Sequence, residues 1–285
     1  MQYTNKIKSQ RLDQYVLVKY PLLSRSYAVR LIESAKVLVN GAENKAGYKL
    51  RDGDEVTIDY DPDKEVKIPD IDLPILYQDD NVMVINKPAG VISHARGRYW
   101  DEASVASFVR QMTGQSEDRA GIVHRLDRAT SGVMICAKNA DTMAMLQKQF
   151  ADREVKKIYI AITSGHLKHP EAIIDMPIER NPKTPATFRV ASNGKSAQTK
   201  YTVLRSSADY DQLRLEPATG RTHQLRVHLS HQGHPIVGDQ LYRGKTASRL
   251  YLHAKQLTIN IPGLGKKTFT APVPDEFEKF ISSNG

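Results

Sequence analysis

The stretch from His124 to Lys138, His-Arg-Leu-Asp-Arg-Ala-Thr-Ser-Gly-Val-Met-Ile-Cys-Ala-Lys, constrains the fold of this chain more than any other. Its apolar run Val133 to Ala137 reads as a short buried strand. The polar, glycine-containing segment ahead of it reads as a loop that feeds the strand, and loops carry chemistry. Within that loop Asp127 is flanked by Arg125 and Arg128. A carboxylate held between cations keeps a depressed pKa and stays ionised, which suits a nucleophile better than a proton donor. Thr130 and Ser131 are placed to bond local backbone and hold the loop's shape. By residue type alone, however, an Asp between two Arg equally describes a surface ion-pair cluster.

With 285 residues, 40% of them hydrophobic and 26% charged, the chain is long enough for two modest domains or one large one with a proper core. There is no run of eighteen apolar residues, and the opening Met-Gln-Tyr-Thr-Asn-Lys lacks the apolar segment of a secretory signal. The expectation is a cytoplasmic protein with no membrane span. The single cysteine, Cys136, excludes an internal disulfide framework and a cysteine zinc site, and among Met134, Ile135 and Ala137 it reads as a small buried hydrophobe. The net charge of +9 favours a polyanionic partner. Its distribution sharpens that reading: residues 1–40 carry seven basic against two acidic side chains, and residues 41–85 carry five against twelve. Two basic surfaces joined by an acidic, solvated segment follow from this alternation.

Along the chain, Pro21 separates two amphipathic helices, with Ser24 the expected N-cap of the second. Ala28, Val29, Leu31 and Ile32 make its apolar face, and Arg25 and Arg30 project from the other. Val37 and Val39 alternate into a strand that stops at an Asn40-Gly41 turn, and Glu55 to Ile58 closes the sheet. Residues 61–74, acidic and containing Pro62, Pro69 and Pro74, have the composition of a linker. Beyond them Val82 to Ile85 reads as a strand, Asn86 to Gly90 as a turn, Ala103 to Met112 and Asp141 to Phe150 as helices, and Lys156 to Ile162 as a strand. Pro182, Pro185, Asn193 and Gly194 mark a long basic loop, followed by a hairpin from Ala197–Leu204 and Gln212–Leu215. Gln224 to Leu229 has helical period. His223, His228, His231 and His234 invite a zinc site, yet they form no His-Glu-x-x-His pair and have no cysteine companions. Positioning hydrogen bonds are the better expectation.

Several of these stretches recur in one family. The string His124-Arg-Leu-Asp-x-x-Thr-Ser-Gly132 resembles the signature of the RluA family of pseudouridine synthases in order and spacing. Asn86-Lys-Pro-Ala-Gly90, Lys157-Ile-Tyr159 and Thr219-Gly-Arg-Thr-His-Gln-Leu-Arg226 are similar to further elements of that family. Ser24-Arg25-Ser26, Lys36-Val-Leu-Val-Asn-Gly41 and Gly53-Asp54-x-Val56 resemble the alpha-L RNA-binding motif also found in ribosomal protein S-four, with Ala35 standing where that motif commonly has glycine.

The resemblance implies an α+β chain. A small alpha-L domain over residues 1–60 precedes the linker at 61–74, and a pseudouridine synthase domain over 75–285 is built on a mixed, mainly antiparallel sheet with flanking helices. It implies isomerisation of uridine to pseudouridine in RNA without cofactor or metal, by a monomer. Asp127 is then the catalytic residue, Arg226 its ion-pair partner, Arg125 the side chain that fills the gap left by a flipped-out uridine, and Tyr159 the ring against the base. Arg11, Ser24, Arg25, Arg30 and Lys36 become RNA contacts. The expected substrate is large-subunit ribosomal RNA, with tRNA as the alternative. A non-catalytic ribosome-assembly factor would not need Asp127, Tyr159 and Arg226 together, and a metal-dependent hydrolase would need a chelator-sensitive histidine cluster.

Overall fold

The computed structural model describes residues 2–3, 10–61, 68–94, 102–116 and 119–283, so part of the expected linker lies outside the described residues. Two units form, the first taking the chain as far as Asp70 and the second running from Ile71 to His94 and from Ser104 onwards.

In the first unit, strand β1 (Gln2–Tyr3) is followed by helices α1 (Leu12–Lys19) and α2 (Arg25–Glu33) and by strands β2 (Val37–Val39), β3 (Ala42–Glu43) and β4 (Val56–Ile58). The four strands make an antiparallel sheet in the order β1-β4-β2-β3. Leu12, Val16, Ala28, Leu31 and Ile32 of the helices share one buried cluster with Val37, Val39, Val56 and Ile58 of the strands. Ser24 caps α2 by accepting a hydrogen bond from the Tyr27 amide at 3.3 Å. Ala35 adopts φ 58°, the left-handed conformation that glycine takes without cost, which explains why glycine is the usual residue there.

The second unit opens with the antiparallel strands β5 (Ile75–Gln78) and β6 (Val82–Lys87), helix α3 (Val105–Thr113), strand β7 (Ser131–Ala137) and helix α4 (Ala140–Ala151). Serine and asparagine start both helices: Ser104 and Ser107 form a reciprocal capping box, and Asn139 accepts from the Thr142 amide. Next come β8 (Lys156–Ser164), β9 (Glu171–Asp175), β10 (Ile178–Arg180), β11 (Phe188–Val190), β12 (Gln198–Ser206), β13 (Tyr210–Pro217), α5 (Gln224–His231), β14 (Leu252–Ile261), β15 (Gly265–Thr270) and α6 (Asp275–Ser283). The large sheet has the order β5-β6-β7-β14-β8-β13-β12-β9, with β15 paired to β14. Among the described strands of this sheet the β7–β14 pairing is parallel and the others are antiparallel.

Burial follows position in the sheet. All seven residues of β7 are buried, as a central strand covered on both faces requires, whereas β13 alternates buried and half-buried. Val105, Phe108 and Val109 of α3 and Leu146 of α4 pack in the same cluster as Met134 and Ile135. A second cluster joins Ile160, Leu213 and Leu215 to Leu225 and Leu229 of α5 and to Phe277 and Ile281 of α6. Within the segment expected as a long basic loop, β11 pairs back onto β10 just ahead of it, with Ile178 opposite Val190 and Arg180 opposite Phe188. Three-residue strands carry too little periodicity to be read from sequence. Contacts distant in the chain hold this pair, including the Phe188 amide donating to the Tyr242 hydroxyl at 2.9 Å.

Candidate active site

The loop from His124 to Thr130 enters β7 at the one parallel junction of the sheet, where Ser131 lies opposite His253 and Gly132 opposite Ala254. Gly132 has φ 120°, and a Cβ there would collide with the backbone of Ala254, so only glycine lets the strands approach. The loop is fastened along its length. Ser93 Oγ donates to the Leu126 carbonyl at 2.8 Å and accepts from the Leu126 amide at 3.1 Å, and the Thr130 amide closes a turn on the Asp127 carbonyl. Lys87, fully buried at the end of β6, donates to the carbonyls of Pro88, Val91 and Arg128 at 2.9, 2.8 and 3.3 Å. It binds the turn after β6 to the loop, and burial pushes its ammonium down to about 7 against the pull of Asp127. Ser131 holds the strands rather than the loop, since its hydroxyl meets His253 Nδ1 at 2.9 Å and accepts from Arg249.

Asp127 emerges from this scaffold with its side chain 19% exposed. Its cationic partner is Arg226 of α5, whose Nη1 donates to Oδ2 at 3.3 Å, and not the neighbours in sequence. Arg128 is turned to the Gly90 carbonyl at 3.4 Å. Arg226 in turn is gripped by Asp239, which sequence reading missed: Nε and Nη2 reach its two carboxylate oxygens at 2.7 and 2.8 Å. That fork-on-fork geometry fixes the plane of the guanidinium and leaves Nη1 for Asp127. Burial lowers the Arg226 pKa, but the bond and charge of Asp239, with the charge of Asp127, outweigh it and raise the value overall. The Tyr242 ring lies 5.0 Å from the guanidinium.

His223 approaches the same Asp127 oxygen, with Nε2 3.7 Å from Oδ2. Burial lowers its pKa in spite of Asp127, so the contact is one of a neutral imidazole with a carboxylate. Gln224 organises the strand-to-helix connection ahead of α5. Its Oε1 accepts from Thr219 Oγ1 and the Arg221 amide at 2.6 and 3.0 Å, and its Nε2 donates to the Gln198 carbonyl and Thr199 Oγ1 at 2.9 and 3.0 Å.

Asp127 opens into a cavity of about 570 Å³ that Arg125, Lys157, Tyr159 and Arg226 also line. Three of the sequence-predicted site residues, Arg125, Tyr159 and Arg226, are thus brought together with Asp127 around one space. Tyr159 sits in β8 between Ala254 and Leu215 of the neighbouring strands. Burial and the nearby Asp127 charge raise its hydroxyl, so the ring is presented as a neutral phenol. No partner is recorded for Oδ1 of Asp127 among the described residues. That oxygen is available to a ligand, and the arrangement can offer a carboxylate held by Arg226 to a planar molecule lying on an aromatic ring.

In the first unit Arg11 and Arg25 converge on the buried Asp13, each at 2.9 Å, and Arg30 and Lys36 are exposed. Among the histidines, His223 bonds Tyr242, His228 bonds Thr199 and the Met176 carbonyl, and His234 bonds the Ser164 carbonyl. Among the described residues no three His, Cys, Asp or Glu side chains gather as a metal-holding group, and no helix is long and apolar enough to cross a membrane.

The family model of RNA pseudouridylate synthases matches residues 81–231, and that of the S4 domain matches residues 10–56. The chain is 34% identical to the ribosomal large subunit pseudouridine synthase D of Borreliella burgdorferi, over 99% of this chain and 92% of that protein. To the protein of the same name from Salmonella typhimurium it is 35% identical, over 96% and 90% respectively. Among solved structures, human RNA pseudouridylate synthase domain containing 4 is similar with a TM-score of 0.58 and 29% identity, across 72% of this chain and 90% of that one.

Proposed function

The chain belongs to the RluA family of RNA pseudouridine synthases and carries an S4 domain ahead of the synthase domain, and on that premise we propose that it acts through Asp127 on large-subunit ribosomal RNA. It is an isomerase: the bond from uracil N1 to the ribose is broken, the ring turns, and a bond from C5 to the ribose replaces it while C5 loses its proton and N1 gains one. Nothing is consumed, so the protein's task is to hold, orient and retain the detached base.

The observation that carries the assignment is the asymmetric environment of Asp127. Oδ2 faces Arg226 and His223, while Oδ1 makes no hydrogen bond or ion pair among the described residues, and the residue lines the cavity. A carboxylate aimed by a buried guanidinium supplies either a nucleophile or a base at the ribose or the ring. Tyr159, a neutral phenol in the same cavity, provides a stacking face for the uracil. Arg125 is exposed at the cavity's edge, where its planar head can occupy the stack that a flipped uridine vacates. Arg30 and Lys36, with Arg11, Ser24 and Arg25, form the RNA-facing set of the S4 domain in this reading, where cations position the substrate without reading its bases.

Two features favour large-subunit ribosomal RNA: relatives covering nearly the whole chain are named for that substrate, and a separate RNA-binding domain suits a large folded target. Such a substrate places the protein in the cytoplasm. Mapping pseudouridines across total RNA from cells with and without the gene tests this. The expected result is loss of sites in large-subunit RNA alone, and loss of a tRNA site with ribosomal sites intact would contradict it.

A further inference from the structure

His223 occupies a backbone conformation that side chains rarely adopt, φ 56°, immediately ahead of α5, and it makes no helix-capping bond. A non-glycine residue in that conformation is strained and persists where its surroundings dictate it. The surroundings here are specific. The Phe188 amide donates to the Tyr242 hydroxyl oxygen at 2.9 Å, and that oxygen lies 2.8 Å from His223 Nδ1. Phe188 and Tyr242 also pack edge-on against the imidazole, each with ring centroids 5.6 Å away.

The Phe188 amide can only donate, so the Tyr242 oxygen accepts it. Burial pushes Tyr242 up to about 12, so it keeps its proton at ordinary pH, and that proton is the one the hydroxyl has to offer to Nδ1. With Nδ1 accepting, a neutral imidazole carries its proton on Nε2. Nε2 is the atom 3.7 Å from Asp127 Oδ2, the oxygen that also faces Arg226 Nη1.

We propose that His223 is a positioning residue for Asp127, held by the Phe188–Tyr242 chain in the Nε2–H tautomer so that its N–H and Arg226 together engage Oδ2 and leave Oδ1 to face the nucleotide. This deepens the reading of Asp127 as the catalytic residue and rests on it. At 3.7 Å the N–H is just beyond hydrogen-bond distance, and a substrate filling the cavity brings it into range. Two donors on one oxygen stop the carboxylate from rotating and presenting either oxygen at random. The β10–β11 hairpin, absent from any recognisable motif, thereby reaches the active site through the amide and the ring of Phe188.

The test combines a tautomer measurement with kinetics on the full-length protein. Nitrogen-15 NMR of the imidazoles in the free protein, with His223 assigned by loss of its signals in His223→Gln, should show a neutral ring protonated on Nε2 at pH 7. Tyr242→Phe should shift that ring towards the Nδ1–H form. With RNA carrying tritium at uracil C5, His223→Leu should lower kcat about 100-fold, the scale of a misaligned reacting group, with KM unchanged. His223→Gln, which returns an N–H donor on a backbone as strained as that of the Leu variant, should restore most of the rate. An Nδ1–H ring or an imidazolium in the unmodified protein overturns the proposal, as does a Gln variant no faster than the Leu variant. If Asp127→Asn is inactive while His223→Leu turns over normally, only this inference falls; if Asp127→Asn turns over, the reading of Asp127 itself falls.

Discussion

Arg226 stands between two carboxylates and binds them unequally, with two bonds of 2.7 and 2.8 Å to Asp239 and one of 3.3 Å to Asp127. Asp239 is therefore the anchor, and Asp127 receives what the anchored guanidinium has left to give. Asp239 is fully buried and Arg226 nearly so, and breaking such a pair from one side leaves an uncompensated buried charge. Asp239→Asn is accordingly expected to destabilise the protein by about 3 kcal/mol in urea unfolding. It should also lower kcat by about 100-fold, because the freed guanidinium closes on Asp127 and takes the oxygen meant for the nucleotide. RNA affinity should not change. A variant with native kcat would show that Asp239 does not aim Arg226.

At the scale of elements, the loop-to-strand junction at β7 sets the geometry, and two of its residues make predictions. Gly132→Ala places a methyl against the backbone of Ala254 at φ 120°, so a loss of about 3 kcal/mol or more and a marked fall in soluble yield are expected. His124 is half-buried, its Nε2 accepts from the Ile135 amide at 3.1 Å, and its ring stacks on Phe150. Burial pushes its pKa down to about 3, and that of His253 down to about 4. Both values lie below the unfolded value of about 6.5, so the unfolded chain binds more protons between these limits. The stability these histidines contribute is complete above pH 6.5 and is lost as the pH falls towards 4. Measured as Tm against pH, His124→Gln should flatten the decline between pH 6.5 and 4.5, and a slope equal to that of the unmodified protein would contradict the assignment. Much of this junction was legible in the sequence because it is local: an apolar run, a glycine and a polar loop are contiguous from His124 to Ala137. The network of Asp239, His223, Tyr242 and Phe188 was not, since it joins residues as far as 54 positions apart that no periodicity links. Residue type alone sets Asp127 between Arg125 and Arg128, and only the family resemblance points to Arg226, because chain neighbours need not face one another on a turn and this pair joins residues 99 apart.

For the molecule as a whole, the positive charge of the S4 domain is local, seven basic against two acidic side chains in residues 1–40, and is offset by the acidic segment that follows. The exposed cations of the S4 domain are expected to contact phosphates, and each contact contributes roughly one unit to the slope of log affinity against log salt. The double variant Arg30→Ala, Lys36→Ala should bind RNA more weakly and reduce that slope by about two, while kcat at saturating RNA stays unchanged. An unchanged slope would remove these residues from the RNA-facing surface. The central claim, that Asp127 performs the isomerisation, is tested most directly by a single-turnover assay of Asp127→Asn on pseudouridine formation in large-subunit RNA, with RNA binding measured on the same preparation. The substitution is nearly isosteric and removes only charge and nucleophilicity, so binding should persist with no pseudouridine formed. Pseudouridine formed at the unmodified protein's rate would contradict the claim.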